Sequence, residues 1–194
     1  MPSLFDGDTI AVKVSAANAR LLFHGCDPDY IRDVCHASCC RSSTAPTGTM
    51  ISVHSSEEAG LIRLGATIER GMLQPKAGER RCPFMAGTGL CGLHDTPDKP
   101  FGCIASPFTL NAGGTLIVRN RYKMLKCFKD GDAPAPAYVA FGASLRLIFG
   151  EGEAARIVAH LAAGGGDLIA EMPRQSHVML TENDAAKKAL KTEA

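Results

Sequence analysis

Eight cysteines, all between positions 26 and 127, constrain this 194-residue chain more than any other feature. They are Cys26, Cys35, Cys39, Cys40, Cys82, Cys91, Cys103 and Cys127, so the first 25 residues and the last 67 carry no thiol. A chain of this length can bury a sizeable core without covalent staples. Its cysteine content, about 4%, is well below that of small disulfide scaffolds. Cys39 and Cys40 are adjacent and can hardly bridge each other without strain. The opening stretch MPSLFDGDTIAVKVS sets Asp6 and Asp8 early and lacks a basic region followed by an apolar core, so it does not read as a secretory signal. A cytoplasmic location is expected, where cellular reductants keep thiols free. Clustered free thiols point to soft metals: zinc, copper(I) or iron-sulfur clusters.

A structural zinc or a four-iron cluster takes four protein ligands. Eight cysteines therefore imply either two centres or thiols with other duties. The spacing matches neither a C-x2-C zinc ribbon nor the usual ferredoxin run.

The order of the surrounding residues is more specific. Cys35-x3-Cys39-Cys40 is followed by Arg81-Cys82-Pro83-Phe84 and Cys91-Gly-Leu-His94-Asp95. Lys99-Pro100-Phe101-Gly102-Cys103 comes next, with Pro107-Phe108 behind it. Over about residues 30–130 this resembles the YkgJ-like cysteine-cluster family of zinc- or iron-chelating proteins, with its C-x2-C-x2-C-C, C-P-x-L, C-x-I-Y and R-P-x-x-C elements. The resemblance implies that Cys39 and Cys40 are the double cysteine, Cys82 the C-P cysteine, Cys91 the C-x-I-Y cysteine, Cys103 the one after R-P and Cys127 the late one. Cys35 belongs to the first group with one residue too many behind it, and Cys26 stands furthest from the pattern. His94 replaces the family's tyrosine and Lys99 its arginine. Because relatives of the flagellin lysine methylase type are associated with a 4Fe-4S iron-sulfur cluster, the resemblance favours that cofactor, with Zn as the alternative.

Other side chains are candidates for chemistry. His94 stands three residues after Cys91, and Asp95 beside it could orient its ring, so the pair is the candidate for a catalytic or ligating role. His24, His36 and His54 also lie near cysteines in sequence, with ordinary structural roles as the simpler reading. Arg80 and Arg81 flank Cys82, where they could favour thiolates or a negatively charged cluster. Arg119, Arg121, Lys123, Lys126 and Lys129, interrupted by Tyr122 and Phe128, form a basic run. It weakly supports nucleic-acid or phosphate contact and otherwise reads as a solvated face. The net charge of +1 gives no general argument for nucleic acid or membrane. No apolar run reaches the roughly 20 residues that span a bilayer.

The expected fold is α+β: one small loop-rich, metal-organised domain with short strands and peripheral helices, and a helical C-terminal third. Residues 1–132 would form the cysteine-cluster domain and 138–170 a helical extension packed on it, with 182–194 a charged tail. Residues 9–15 and 49–54 read as strands, 16–25 as a helix, and 55–65 as a helix capped by Ser55 or Ser56. Asp27 caps a short helix that starts at Pro28. Residues 115–122 read as a strand, and 138–166 as two helices divided near Gly150 and Gly152. The stretch from 66 to 114 lacks periodicity, which inside a compact domain calls for something else to order it. Two functions remain open: a redox or group-transfer enzyme or enzyme component, or a non-catalytic accessory protein with a structural zinc or a fully ligated cluster.

Overall fold

The computed structural model describes residues 7–41, 51–94, 96–129 and 134–181. Its elements confirm an α+β fold with mixed sheets. In chain order they begin with β1 (Thr9–Val14), α1 (Ala16–Ala19) and β2 (Leu22–Phe23). There follow α2 (Pro28–Tyr30), α3 (Ser55–Arg63), β3 (Ile68–Glu69), β4 (Met72–Leu73) and α4 (Phe101–Ile104). The remainder comprises β5 (Phe108–Leu110), β6 (Thr115–Val118), α5 (Lys126–Lys129), β7 (Ala135–Pro136), α6 (Ala137–Ala140), α7 (Gly142–Phe149), α8 (Glu151–Ala162) and β8 (Leu168–Pro173). A last helical stretch occupies 174–181. No helix among the described residues is long and apolar enough to cross a membrane.

The chain divides into two compact units, one made of residues 1–26 and 104–181 and the other of 27–103. This grouping differs from the expected segments 1–132 and 138–170. The reason is β1, which alternates solvent-facing Ala11 and Lys13 with buried Val12 and Val14. That period-2 pattern marks β1 as a strand with one buried face. It finds β6 in parallel, at Lys13↔Thr115, and β8 antiparallel, at Val12↔Ala170 and Val14↔Leu168. The N-terminal strand is thereby locked into a four-stranded sheet of order β5-β6-β1-β8 built mainly from the C-terminal half.

The helical C-terminal third holds in part. Helices α7 and α8 bury Leu145, Ile148, Ile157 and Leu161, while Leu147 and Val158 are half-buried. The helical reading of 138–150 is interrupted at Phe141, and a strand that the sequence reading did not anticipate, β8, stands between α8 and the last helical stretch. The helix expected over 16–25 stops after four residues. Arg20 is its C-cap, and Leu22 and Phe23 turn into β2, paired with β7. There Phe23 is fully buried against the rings of Phe128 and Phe141, at centroid distances of 5.2 and 5.4 Å.

In the unit of 27–103, the Asp27 carboxylate accepts from the N–H groups of Asp29 and Tyr30, as the Pro28 signal implies. The strand expected at 49–54 is reduced within the described residues to an edge: Leu73 N–H donates to Ile51 C=O and Val53 N–H to Gly71 C=O. The β3–β4 hairpin turns at Arg70 and Gly71, both with positive φ (51° and 69°), as a two-residue turn between twisted strands requires. The cap of α3 is His54, not Ser55 or Ser56. Its Nδ1 accepts from Ser56 N–H at 3.2 Å, while Glu57 Oε2 accepts from His54 N–H at 3.0 Å. The stretch expected to be irregular, 66–114, contains β3, β4, α4 and β5; only between β4 and α4 does the described chain have turns and isolated bridges without helix or strand.

Candidate metal centre

None of the eight cysteines is in a disulfide. Six belong to the unit of 27–103, whereas Cys26 and Cys127 belong to the other. Local backbone geometry explains how the six are presented. After α2 the chain makes one wide helical turn over Ile31–Cys35, then passes through His36 and Ala37, both left-handed, with φ of 51° and 50°. Two consecutive non-glycine residues in that region cost about 1–2 kcal/mol each. They reverse the chain into the tight turn Ser38–Cys40, where the Cys39 and Cys40 sulfurs are 3.8 Å apart.

Cys82 is set opposite Cys40. The antiparallel bridge Arg41↔Arg81 and the bond from Cys82 N–H to Cys40 C=O, 2.9 Å, define a two-residue ladder. From Cys82 the chain folds back on itself. Met85 bridges Cys91, Gly92 N–H donates to Phe84 C=O at 2.8 Å, and the intervening turn uses Gly89 at φ +83°. Cys103 is carried by α4. That helix is moored by Phe101 N–H, which donates to Glu57 Oε1 at 2.6 Å.

These segments share one apolar cluster. Cys82 is buried in it with Ala37, Ile51, Val53, Leu61, Leu73, Met85 and Leu93, and Cys40, Cys91 and Cys103 pack against it half-buried. The environment resists ionisation. Burial pushes the Cys82 thiol up to about 11, with the charges of Cys91 and Cys39 adding to it, against backbone N–H bonds from Phe84 and Met85 that favour the thiolate. Cys103 is raised by burial and by Cys82, Cys91 and Cys39, with Lys99 opposing. Cys40 is raised first by its hydrogen bond with Cys39, then by burial and by the charges of Cys39, Cys103 and Cys82. Five thiols therefore interact electrostatically in one place: Cys39, Cys40, Cys82, Cys91 and Cys103. Among the described residues, no group of three or more His, Cys, Asp or Glu side chains is preassembled to hold a metal ion.

The remaining candidates lie elsewhere. Cys35 is buried on the wide turn and, like Cys39, is not part of the apolar cluster that Cys40, Cys82, Cys91 and Cys103 share. Cys26 is exposed, and Cys127 is half-buried, its C=O accepting from His24 N–H at 2.7 Å. His94 is exposed with its Nδ1 3.0 Å from Lys99 Nζ, and Asp95 lies outside the described residues. His24 and His36 each place Nδ1 against a nearby backbone carbonyl, Gly25 and Arg32 respectively, and His54 is a helix cap. The basic run is not one solvated row. Arg119 and Arg121 have guanidinium nitrogens buried in the protein, Arg121 lying over the Tyr122 ring at 5.1 Å. Lys126 is exposed.

Glu57 is the supporting residue that sequence reasoning missed as such. It was legible as a first-turn acid of α3, but not as the mooring of α4, because that contact spans 44 residues of chain. Glu57→Ala should destabilise this unit by about 2–3 kcal/mol, since a buried N–H loses its partner and the helix loses its cap. Burial is the leading influence on Glu57 and raises its pKa. The folded state thus favours the protonated acid, and this residue's contribution falls as pH rises from the ordinary carboxylate value through the raised one. Urea denaturation across that range should show the decline in the parent and its absence in Glu57→Gln.

Comparison with family models, with curated proteins and with solved structures finds no match to this chain.

Proposed function

We propose that this is a metal-binding cysteine-cluster protein in which Cys39, Cys40, Cys82, Cys91 and Cys103 supply the ligands of one thiolate centre, an iron-sulfur cluster in preference to zinc. The observation that carries the proposal is that Cys40, Cys82, Cys91 and Cys103, from three separated stretches of chain, share one apolar cluster, with the Cys39 sulfur 3.8 Å from that of Cys40. Buried thiols that repel one another as thiolates need a cation before they can ionise together. N–H bonds to the Cys82 sulfur and the nearby Lys99 suit a centre of net negative charge. The donor set is soft and has one thiol more than a four-iron cluster or a closed zinc site requires. Cys35, Cys127 and Cys26 are not assigned to this centre.

When bound, a cluster would supply electron transfer or an electrophilic iron. The chain's own part is to hold the thiols together and shield them with Leu73, Met85 and Leu93; the reading goes with a cytoplasmic location, where reductants keep thiols free. A redox or group-transfer enzyme component is the preferred role. The second reading, a purely organising metal, is favoured by the lack of helix or strand among the described residues between β4 and α4, a stretch that coordination would order.

Hydrogen exchange on apo and reconstituted protein tests the proposal. Anaerobic loading with iron and sulfide should raise amide protection across 76–94, with a smaller gain from zinc. Protection that is the same in the apo and both loaded forms contradicts a metal centre built from these thiols.

A further inference from the structure

The ladder that sets Cys40 opposite Cys82 has a second face. Beside the bridge Cys82 is buried and Cys40 half-buried, whereas their neighbours Arg41 and Arg81 face solvent. Both arginines are exposed and directly opposite each other. Like charges in that position are destabilising on a ladder. With Arg80 and Glu79 they line an open surface recess of about 440 Å³, within the size range of small-molecule sites. Glu79 pairs with Arg81 Nε, and Arg41 Nε donates to His36 C=O at 3.1 Å. Each of those two guanidiniums is thereby anchored through Nε. Among the described residues that line the recess, three guanidiniums stand against one carboxylate, an excess of two positive charges.

We propose that this recess is a binding site for a phosphate group, taken as its dianion. The charge count matches a dianion and exceeds what one carboxylate would neutralise. Planar guanidinium forks match phosphate oxygens in bidentate geometry. The recess makes use only of the outward face of the ladder, so the proposal goes beyond the metal reading and does not depend on it. If both hold, the phosphate group is a handle that holds a phosphorylated small molecule on the far side of the ladder from the thiols.

The test is a titration of the full chain, as purified, with inorganic phosphate and separately with acetate. It is followed through the arginine Nε–H resonances and by calorimetry, with metal content measured on the same sample. Phosphate should shift the Arg41 and Arg81 signals saturably and bind more tightly than acetate. Arg41→Gln and Arg80→Gln should each weaken it about tenfold, or about 1.4 kcal/mol. Arg41→Lys should fall between, and Arg174→Gln, a surface arginine of the other unit, should change nothing. A non-saturating response, equal binding of acetate, or affinity unchanged in the Arg41 and Arg80 variants overturns the proposal. Such a result in a sample that retains its metal leaves the thiolate centre standing, whereas loss of metal with phosphate binding intact does the reverse.

Discussion

Cys82→Ala and Cys103→Ala are each expected to abolish metal binding and to unfold much of residues 27–103, whereas Cys26→Ser should leave both metal and fold intact. Cys82 is buried within the apolar cluster, and Cys103, on the short helix α4, packs against it. Structural metal sites contribute about 10–16 kcal/mol in small zinc domains, comparable to or larger than the whole stability of a typical domain. Losing a ligand from a unit with so little regular structure therefore exceeds any single packing defect. Cys26 is exposed and belongs to the other unit. The double variant Cys39→Ser/Cys40→Ser should behave like Cys82→Ala, because together those two sulfurs supply the whole contribution of the first loop. Metal analysis and far-UV circular dichroism of the five proteins check the series. Full metal content in both Cys82→Ala and Cys103→Ala would remove these residues from the centre.

The second large effect belongs to the other unit. Phe23→Ala should cost about 3–5 kcal/mol, the range for emptying a buried aromatic site. Phe23 is fully enclosed and meets two further rings, Phe128 tilted at 49° and Phe141 edge-on at 71°. Deleting it leaves a cavity between elements that cannot easily collapse, because β2 is held to β7 by backbone pairing at Phe23↔Ala135. Phe23→Leu should lose less. Urea denaturation should show a lower midpoint with an unchanged slope, the mark of a change in native stability.

Phe23 also marks where sequence reading fails. Leu21, Leu22 and Phe23 continue the apolar content of the preceding helix, and a three-residue apolar run carries no period of its own. Only the distant Ala135 decides that it is a strand. β8 was missed for a related reason: its buried residues Leu168, Ala170 and Met172 alternate with Ile169 and Glu171, and the apolar Ile169 blurs the pattern. By contrast, Asp27-Pro28, the alternation of 9–14 and the acids following His54 are local signals with local causes, and each produced its element. At the candidate centre the family resemblance, not the spacing, nominated the thiols; Cys35, Cys39, Cys40, Cys82, Cys91 and Cys103 fall in one unit of the chain, and Cys127 and Cys26 in the other. The arginine recess was only half legible. Arg80 and Arg81 adjoin Cys82 in sequence, but Arg41 joins them only through the Arg41↔Arg81 bridge, forty residues away along the chain.

The most direct measurement is metal and acid-labile sulfide analysis, with an absorption spectrum, on protein purified without oxygen. Iron and sulfide in near-equal amounts, with visible charge-transfer absorption that bleaches on reduction, is the expected result. Stoichiometric zinc in a colourless protein would replace the cluster with the alternative metal. Protein that is fully folded with neither iron nor zinc bound, and that takes up neither on reconstitution, would contradict a metal centre altogether.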